Sequence, residues 1–114
     1  MNKVILNESE YKEAAKRATE LAGCFLAGNE DYLDNILEMN WLGNKLVGEV
    51  WDTEFHVFGV IASDTDHLPT KKVRPLCSQL MLEKSGEELQ DIIKFYKNNV
   101  ANACHEIHSK YQNV

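Results

Sequence analysis

Lys45-Leu46-Val47-Gly48-Glu49-Val50-Trp51-Asp52-Thr53-Glu54-Phe55-His56-Val57-Phe58-Gly59-Val60-Ile61-Ala62 is the stretch on which the fold class turns. Its β-branched and aromatic residues suit strands, and a turn at Asp52-Thr53-Glu54 would fold them into a hairpin. The same residues suit a helix capped by Asp52, with Thr53 and Glu54 in its first turn and Phe55, Phe58 and Ile61 on one face. The helix is favoured, because two strands alone on a helical body are marginal and leave two edges to protect.

Upstream of this stretch the helical period is plain. Tyr11, Ala14, Ala15, Ala18, Leu21, Ala22, Phe25 and Leu26 recur at three- and four-residue steps, with Lys12, Lys16, Arg17 and Glu20 opposite. Asn7 or Ser9 caps this helix, Glu10 and Glu13 suit its positive end, and Gly28-Asn29 stops it. A second helix opens at Asn29 or Glu30, carries Tyr32, Leu33, Ile36, Leu37 and then Trp41 or Leu42, and ends or kinks at Gly43-Asn44.

Downstream, Ser63-Asp64-Thr65-Asp66-His67-Leu68-Pro69-Thr70 reads as a loop of short side chains that bond their own backbone. Pro69 also biases Leu68 away from the helical region. Val73, Leu76, Leu80 and Leu82 suggest a short helix opened at Thr70. Ser85-Gly86-Glu87-Glu88 is then a capping box for the longest helix, whose stripe runs Leu89, Ile92, Ile93, Tyr96, Val100, Ala103, Cys104, Ile107 and Tyr111 over roughly 35 to 40 Å. The expected fold is mainly α: residues 1–114 as one compact bundle of four to five helices, with a small hairpin over 45–62 as the alternative.

The 114 residues, with 44% hydrophobic and 26% charged side chains, suit one domain with a single core and exclude a large multidomain enzyme. No apolar stretch approaches a membrane span, and the first residues meet a charge before any long apolar run, so a cytoplasmic location is expected. Cys24, Cys77 and Cys104 lack metal-binding or disulfide spacing and read as reduced, partly buried apolar residues.

Charge is unevenly placed. Residues 30–66 hold nine acidic side chains against Lys45 alone, a net of −8 within a chain total of −6. Residues 1–29 balance. Such a surface disfavours nucleic acid and anionic membranes, and favours a basic protein. It is equally what a solvated acidic face needed only for solubility would look like.

Catalytic patterns are sparse. Asp64, Asp66 and His67 bring two carboxylates and an imidazole to one loop, but lack the further ligands and glycine of a calcium loop, and turn chemistry accounts for them. His105 and His108 lie one turn apart without a third ligand, and histidine suits the negative end of a helix. A Cys77 or Cys104 nucleophile paired with His56, His67 or His105 is only a nonlocal possibility. No Gly-x-Ser-x-Gly, phosphate-binding glycine loop or His-Glu-x-x-His occurs. No metal and no cofactor is expected. Asp64 and Asp66 are expected instead to order their loop through backbone N–H groups or Arg74. Trp41, Trp51, Phe55 and Phe58 read as core, with one or two exposed members available as interface anchors.

Ile61 to Thr70, then Val73-Arg74, then a final helix with Phe95-Tyr96, Ala103-Cys104 and Tyr111, resembles a group of short bacterial proteins with the pattern Ser-[Glu/Asp]-Thr-Asp-x-Leu-Pro. Ser63, Asp64, Thr65, Asp66, Pro69 and Arg74 carry the resemblance, which covers roughly residues 30 to 112. Members commonly have a tryptophan a few residues after the arginine, where this chain has Leu76-Cys77. Proteins of this kind look like the immunity partners of contact-dependent growth inhibition toxins. The resemblance implies a non-enzymatic protein, a monomer or weak dimer when free, that occludes a basic toxin C-terminal domain, expected to be a nuclease. The residues expected to make that contact are Asp31, Asp34, Glu38, Asp52, Glu54, Asp64 and Asp66. The rival expectation is a small metal-dependent hydrolase centred on Asp64, Asp66 and His67.

Overall fold

Asn7 starts the first helix by accepting the backbone N–H of Glu10 on its Oδ1 at 2.8 Å, which satisfies one of the donors a helix start leaves free. Gly28 ends it, with φ at 86° and its N–H donated to the Phe25 carbonyl. The computed structural model describes residues 7–28 and 32–114. Among them four α-helices follow in order: α1 (Glu8–Ala27), α2 (Tyr32–Val47), α3 (His56–Asp64) and α4 (Gln79–Tyr111), with a 3-10 turn at Arg74–Leu76 before α4. The described residues contain no strand, so the bundle expectation holds and the hairpin alternative does not. The expected opening of α2 at Asn29 or Glu30 lies outside the described residues.

α2 does not end at Gly43-Asn44. It continues to Val47, and Gly43 is instead a point of close approach: a Cβ there would lie 2.6 Å from Cγ of Phe55, whose ring is fully buried. The chain leaves the helix at Gly48, φ 85°. Asp52 does not cap α3 either. Its φ of 61° is left-handed, whereas a capping residue needs extended backbone, and its own N–H donates to Nδ1 of His56 at 3.0 Å. Thr53 organises the loop, its hydroxyl donating to the Val50 carbonyl and accepting the Phe55 N–H. α3 therefore begins only at His56, and it runs on through Ser63 and Asp64, so the following loop starts two residues later than the composition suggests.

The capping box at Ser85 is not used. Ser78 caps α4, accepting the Met81 N–H on Oγ at 3.2 Å, and the expected short helix around Leu80 and Leu82 is the first part of one 33-residue helix. Gly86 sits inside it, at a cost of about 1 kcal/mol relative to alanine. The apolar face nevertheless continues: Leu82 and Leu89 both border a recess shared with Leu33 of α2 and with Leu68 and Pro69. At 1.5 Å per residue α4 is about 50 Å long, and it defines the long dimension of the molecule.

α1 packs on α2 and α4, α3 packs on the same two helices, and Phe25 of α1 meets Phe58 of α3 with ring centroids 5.5 Å apart. Ala14, Ala15, Ala18 and Ala22 let the helices meeting α1 come close. Phe55, Phe58, Ile61, Ile36, Met39 and Leu21 fill the centre with no more than 1% exposure. From α4 only Val100, Cys104, Ile107 and Tyr111 are buried, all in its second half. No helix among the described residues is long and apolar enough to cross a membrane.

Candidate functional site

Among the described residues, the acids singled out in the sequence bond to different elements: Glu38 to α1, Glu54 and Asp64 to α4, and Asp34 to the loop before α4. Glu38 on α2 receives Nε and Nη2 of Arg17 on α1 at 2.7 and 3.0 Å. Those bonds, against a smaller opposing effect of burial, hold its carboxyl below the ordinary range. Glu54, its side chain only 5% exposed, accepts from Lys110 Nζ and from the Tyr111 hydroxyl, each at 2.8 Å. Burial opposes its charged form. The Lys110, backbone and Tyr111 bonds outweigh that, and the carboxyl again lies below its usual range.

Asp34 accepts the Lys71 N–H at 3.2 Å, tying α2 to the loop before α4. Asp64 accepts the Tyr96 hydroxyl at 2.7 Å, tying α3 to α4. The expected partners of Asp64, backbone N–H groups or Arg74, are not the ones found; Nε of Arg74 points to the Pro69 carbonyl at 3.5 Å. The reason is positional. Asp64 occupies the last turn of a helix and faces the neighbouring helix, not its own loop. Thr65 orders the loop instead, 2% exposed, with its hydroxyl donated to the Ile61 carbonyl at 2.7 Å. Ser63 is exposed at the end of α3, and Pro69 and Arg74 border the recess beside Leu68. Asp52 and Asp66 are exposed, and Asp31 lies outside the described residues.

The groups suited to chemistry are dispersed. Asp64 is engaged by Tyr96, while Nε2 of His67 pairs with Glu88 of α4 and its Nδ1 stands 3.8 Å from Asp66. Nδ1 of His56 accepts the Asp52 N–H. Cys104 is buried, and that burial pushes its thiol up to about 12, so it is held as an unreactive thiol. Cys24 is exposed, contrary to the expectation of partial burial, and His105 and His108 are exposed on α4. Among the described residues no group of three or more potential metal ligands forms.

In the 48–55 loop, where Asp52 and Glu54 were expected to serve the partner, sequence reasoning missed Glu49 and did not settle which aromatics are exposed. Phe55 and Phe58 are core as expected, but Trp41 and Trp51 are 57% and 51% exposed. Lys45 lies 4.2 Å above the Trp41 ring, and Trp51 packs edge-on to His56. Glu49, next to Val50 and Trp51, was not among the chosen acids. Neither its carboxylate nor that of Asp52 makes an ion pair or hydrogen bond among the described residues. The available signal was Gly48, which breaks α2 and lifts the following residues into a loop. Compared with known protein families, curated proteins and solved structures, the chain has no significant match in any of the three.

Proposed function

We propose that this chain is a cytoplasmic immunity protein, a stoichiometric inhibitor that binds and neutralises the basic nuclease domain of a cognate toxin. The observation that carries the reading is the half-exposed indole of Trp51 in the same loop as Glu49 and Asp52, whose carboxylates are unpaired among the described residues; Trp41 on α2 is exposed as well. Large flat aromatics supply binding energy at the centre of interfaces, and unpaired carboxylates attract a positive cleft and fix its orientation. A nuclease cleft is positive because it must hold phosphates, so covering it stops the reaction without any chemistry by the inhibitor. The hydrolase reading draws no support from the geometry, which directs Asp64 to Tyr96 and His67 to Glu88.

The test looks for a toxin C-terminal domain in the open reading frame beside that of this chain and uses the domain found there; a neighbourhood without one counts against the reading. Co-expression should protect cells, and light scattering should find a one-to-one complex that Trp51→Ala weakens by tenfold or more, roughly the loss of one interface anchor. Cells killed despite abundant chain, with no complex in solution, would refute the reading.

A further inference from the structure

Between α2, α3 and the 48–55 loop lies a recess of about 210 Å³, lined by Asn40, Asn44, Glu49, Val50, Trp51 and Gly59. Asn40 and Asn44 are one turn apart on α2 and face it together. Gly59 forms its floor: a Cβ there would stand 2.7 Å from Val50, 3.3 Å from Trp51 and 3.4 Å from Oδ1 of Asn40. That oxygen is buried, and among the described residues no donor reaches it. A buried acceptor left without a donor is destabilising, so its retention here asks for an explanation.

We infer that the recess is a receptor for a guanidinium group, that of an arginine side chain on the protein partner. The volume is below that of a pocket for a whole small-molecule substrate, which starts at roughly 300 Å³, and suits the end of one side chain. The chemistry of the walls selects the group. Oδ1 of Asn40 needs a donor, the Glu49 carboxylate has no cation among the described residues, and Trp51 offers an aromatic face. A guanidinium is the one side-chain cation that is planar and carries five donors. It can give to Asn40 and to Glu49 at once while its face lies on the indole; an ammonium is a point charge without that plane. Trp51 is half exposed, and its Cζ3 and Oδ1 of Asn40 both border the space over Gly59, so the indole has to swing aside for the group to reach Oδ1. The inference rests on the partner-binding reading only for the source of the guanidinium.

The experiment therefore has two arms. In the first, the free protein is titrated with ethylguanidinium at millimolar concentration, with ethylammonium as control, while NMR follows the Asn40 side-chain amide and the Trp51 indole N–H. Saturable shifts at both groups with ethylguanidinium, and none with ethylammonium, are expected. Glu49→Gln should weaken binding about tenfold, and Asn40→Leu should abolish it without lowering the melting temperature, since it removes an unsatisfied acceptor. Shifts that are absent, that do not saturate, or that survive Asn40→Leu overturn the site. In the second arm the same two variants are measured against the toxin domain, where both should weaken the complex at least tenfold. A complex of unchanged affinity, with ethylguanidinium still bound by the free protein, overturns the assignment to a partner arginine. A toxin domain that binds no form of the chain overturns the inhibitor reading, and the first arm still decides the recess.

Discussion

Gly43 and Gly86 show how differently one residue type is used inside two helices. At Gly43 the missing Cβ makes room for the ring of Phe55, and an added methyl would meet that ring at 2.6 to 2.9 Å. Gly43→Ala should therefore destabilise the fold by about 1–3 kcal/mol through overpacking. At Gly86 nothing lies within 4 Å of the added carbon, and the residue is exposed in the first third of α4. Gly86→Ala should stabilise by about 0.5–1 kcal/mol, because it only removes backbone freedom from the unfolded chain. Urea unfolding of the two variants checks both signs. Equal effects would mean that Phe55 does not sit over Gly43.

Elements are defined by their ends, and α4 makes the point most clearly. Ser78→Ala removes the side-chain oxygen that accepts the Met81 N–H and should cost about 1 kcal/mol. Ser85→Ala, inside the helix, should be neutral or slightly stabilising, since alanine is the better helix former. Thermal unfolding followed at the helix signal distinguishes a start at Ser78 from one at Ser85. The opposite end of α4 is joined to the 48–55 loop through Glu54, Lys110 and Tyr111. The Glu54 carboxyl is lowered from 4.5, so the folded state binds its proton less readily than the unfolded chain does. Its contribution is therefore complete above about pH 4.5 and is lost as the pH falls through the lower folded value. Glu54→Gln should flatten that acid limb in urea titrations between pH 6 and 3 and cost about 1–3 kcal/mol at neutral pH. An acid limb as steep in the variant as in the parent would show that Glu54 does not produce it.

For the whole molecule, the −8 of residues 30–66 is not a free charge. Arg17 sits on Glu38 and Lys110 on Glu54, so the exposed field is carried more by Glu49, Asp52 and Asp66. Replacing Glu49 and Asp52 together by Gln and Asn should slow association with a basic toxin domain several-fold at low salt. Replacing Asp34 and Glu38 should change stability more than association. Surface plasmon resonance at two ionic strengths reads the difference, because attraction between exposed charges is screened beyond about 8 Å at physiological salt. An unaltered on-rate and salt slope for the first pair would place it outside the interface. Reversing Arg17 carries a consequence that the charge balance of residues 1–29 hides, since it breaks the pair with Glu38. The sequence by itself determined that the chain is helical, that α1 starts at Asn7 or Ser9 and stops at Gly28, and that Phe55, Phe58 and Ile61 belong inside; the structure selected Asn7. Those features depend on residues within a turn or two of each other, through caps and a 3.6-residue period. Only the tertiary structure decided where α2 ends, that α4 ignores the Ser85 box, that Trp41 and Trp51 face solvent, and which carboxylates keep their charge free. The pairing of the carboxylates is settled by contacts between residues distant along the chain. Glu38 meets Arg17 across 21 positions and Glu54 meets Tyr111 across 57, and no local pattern encodes such a meeting.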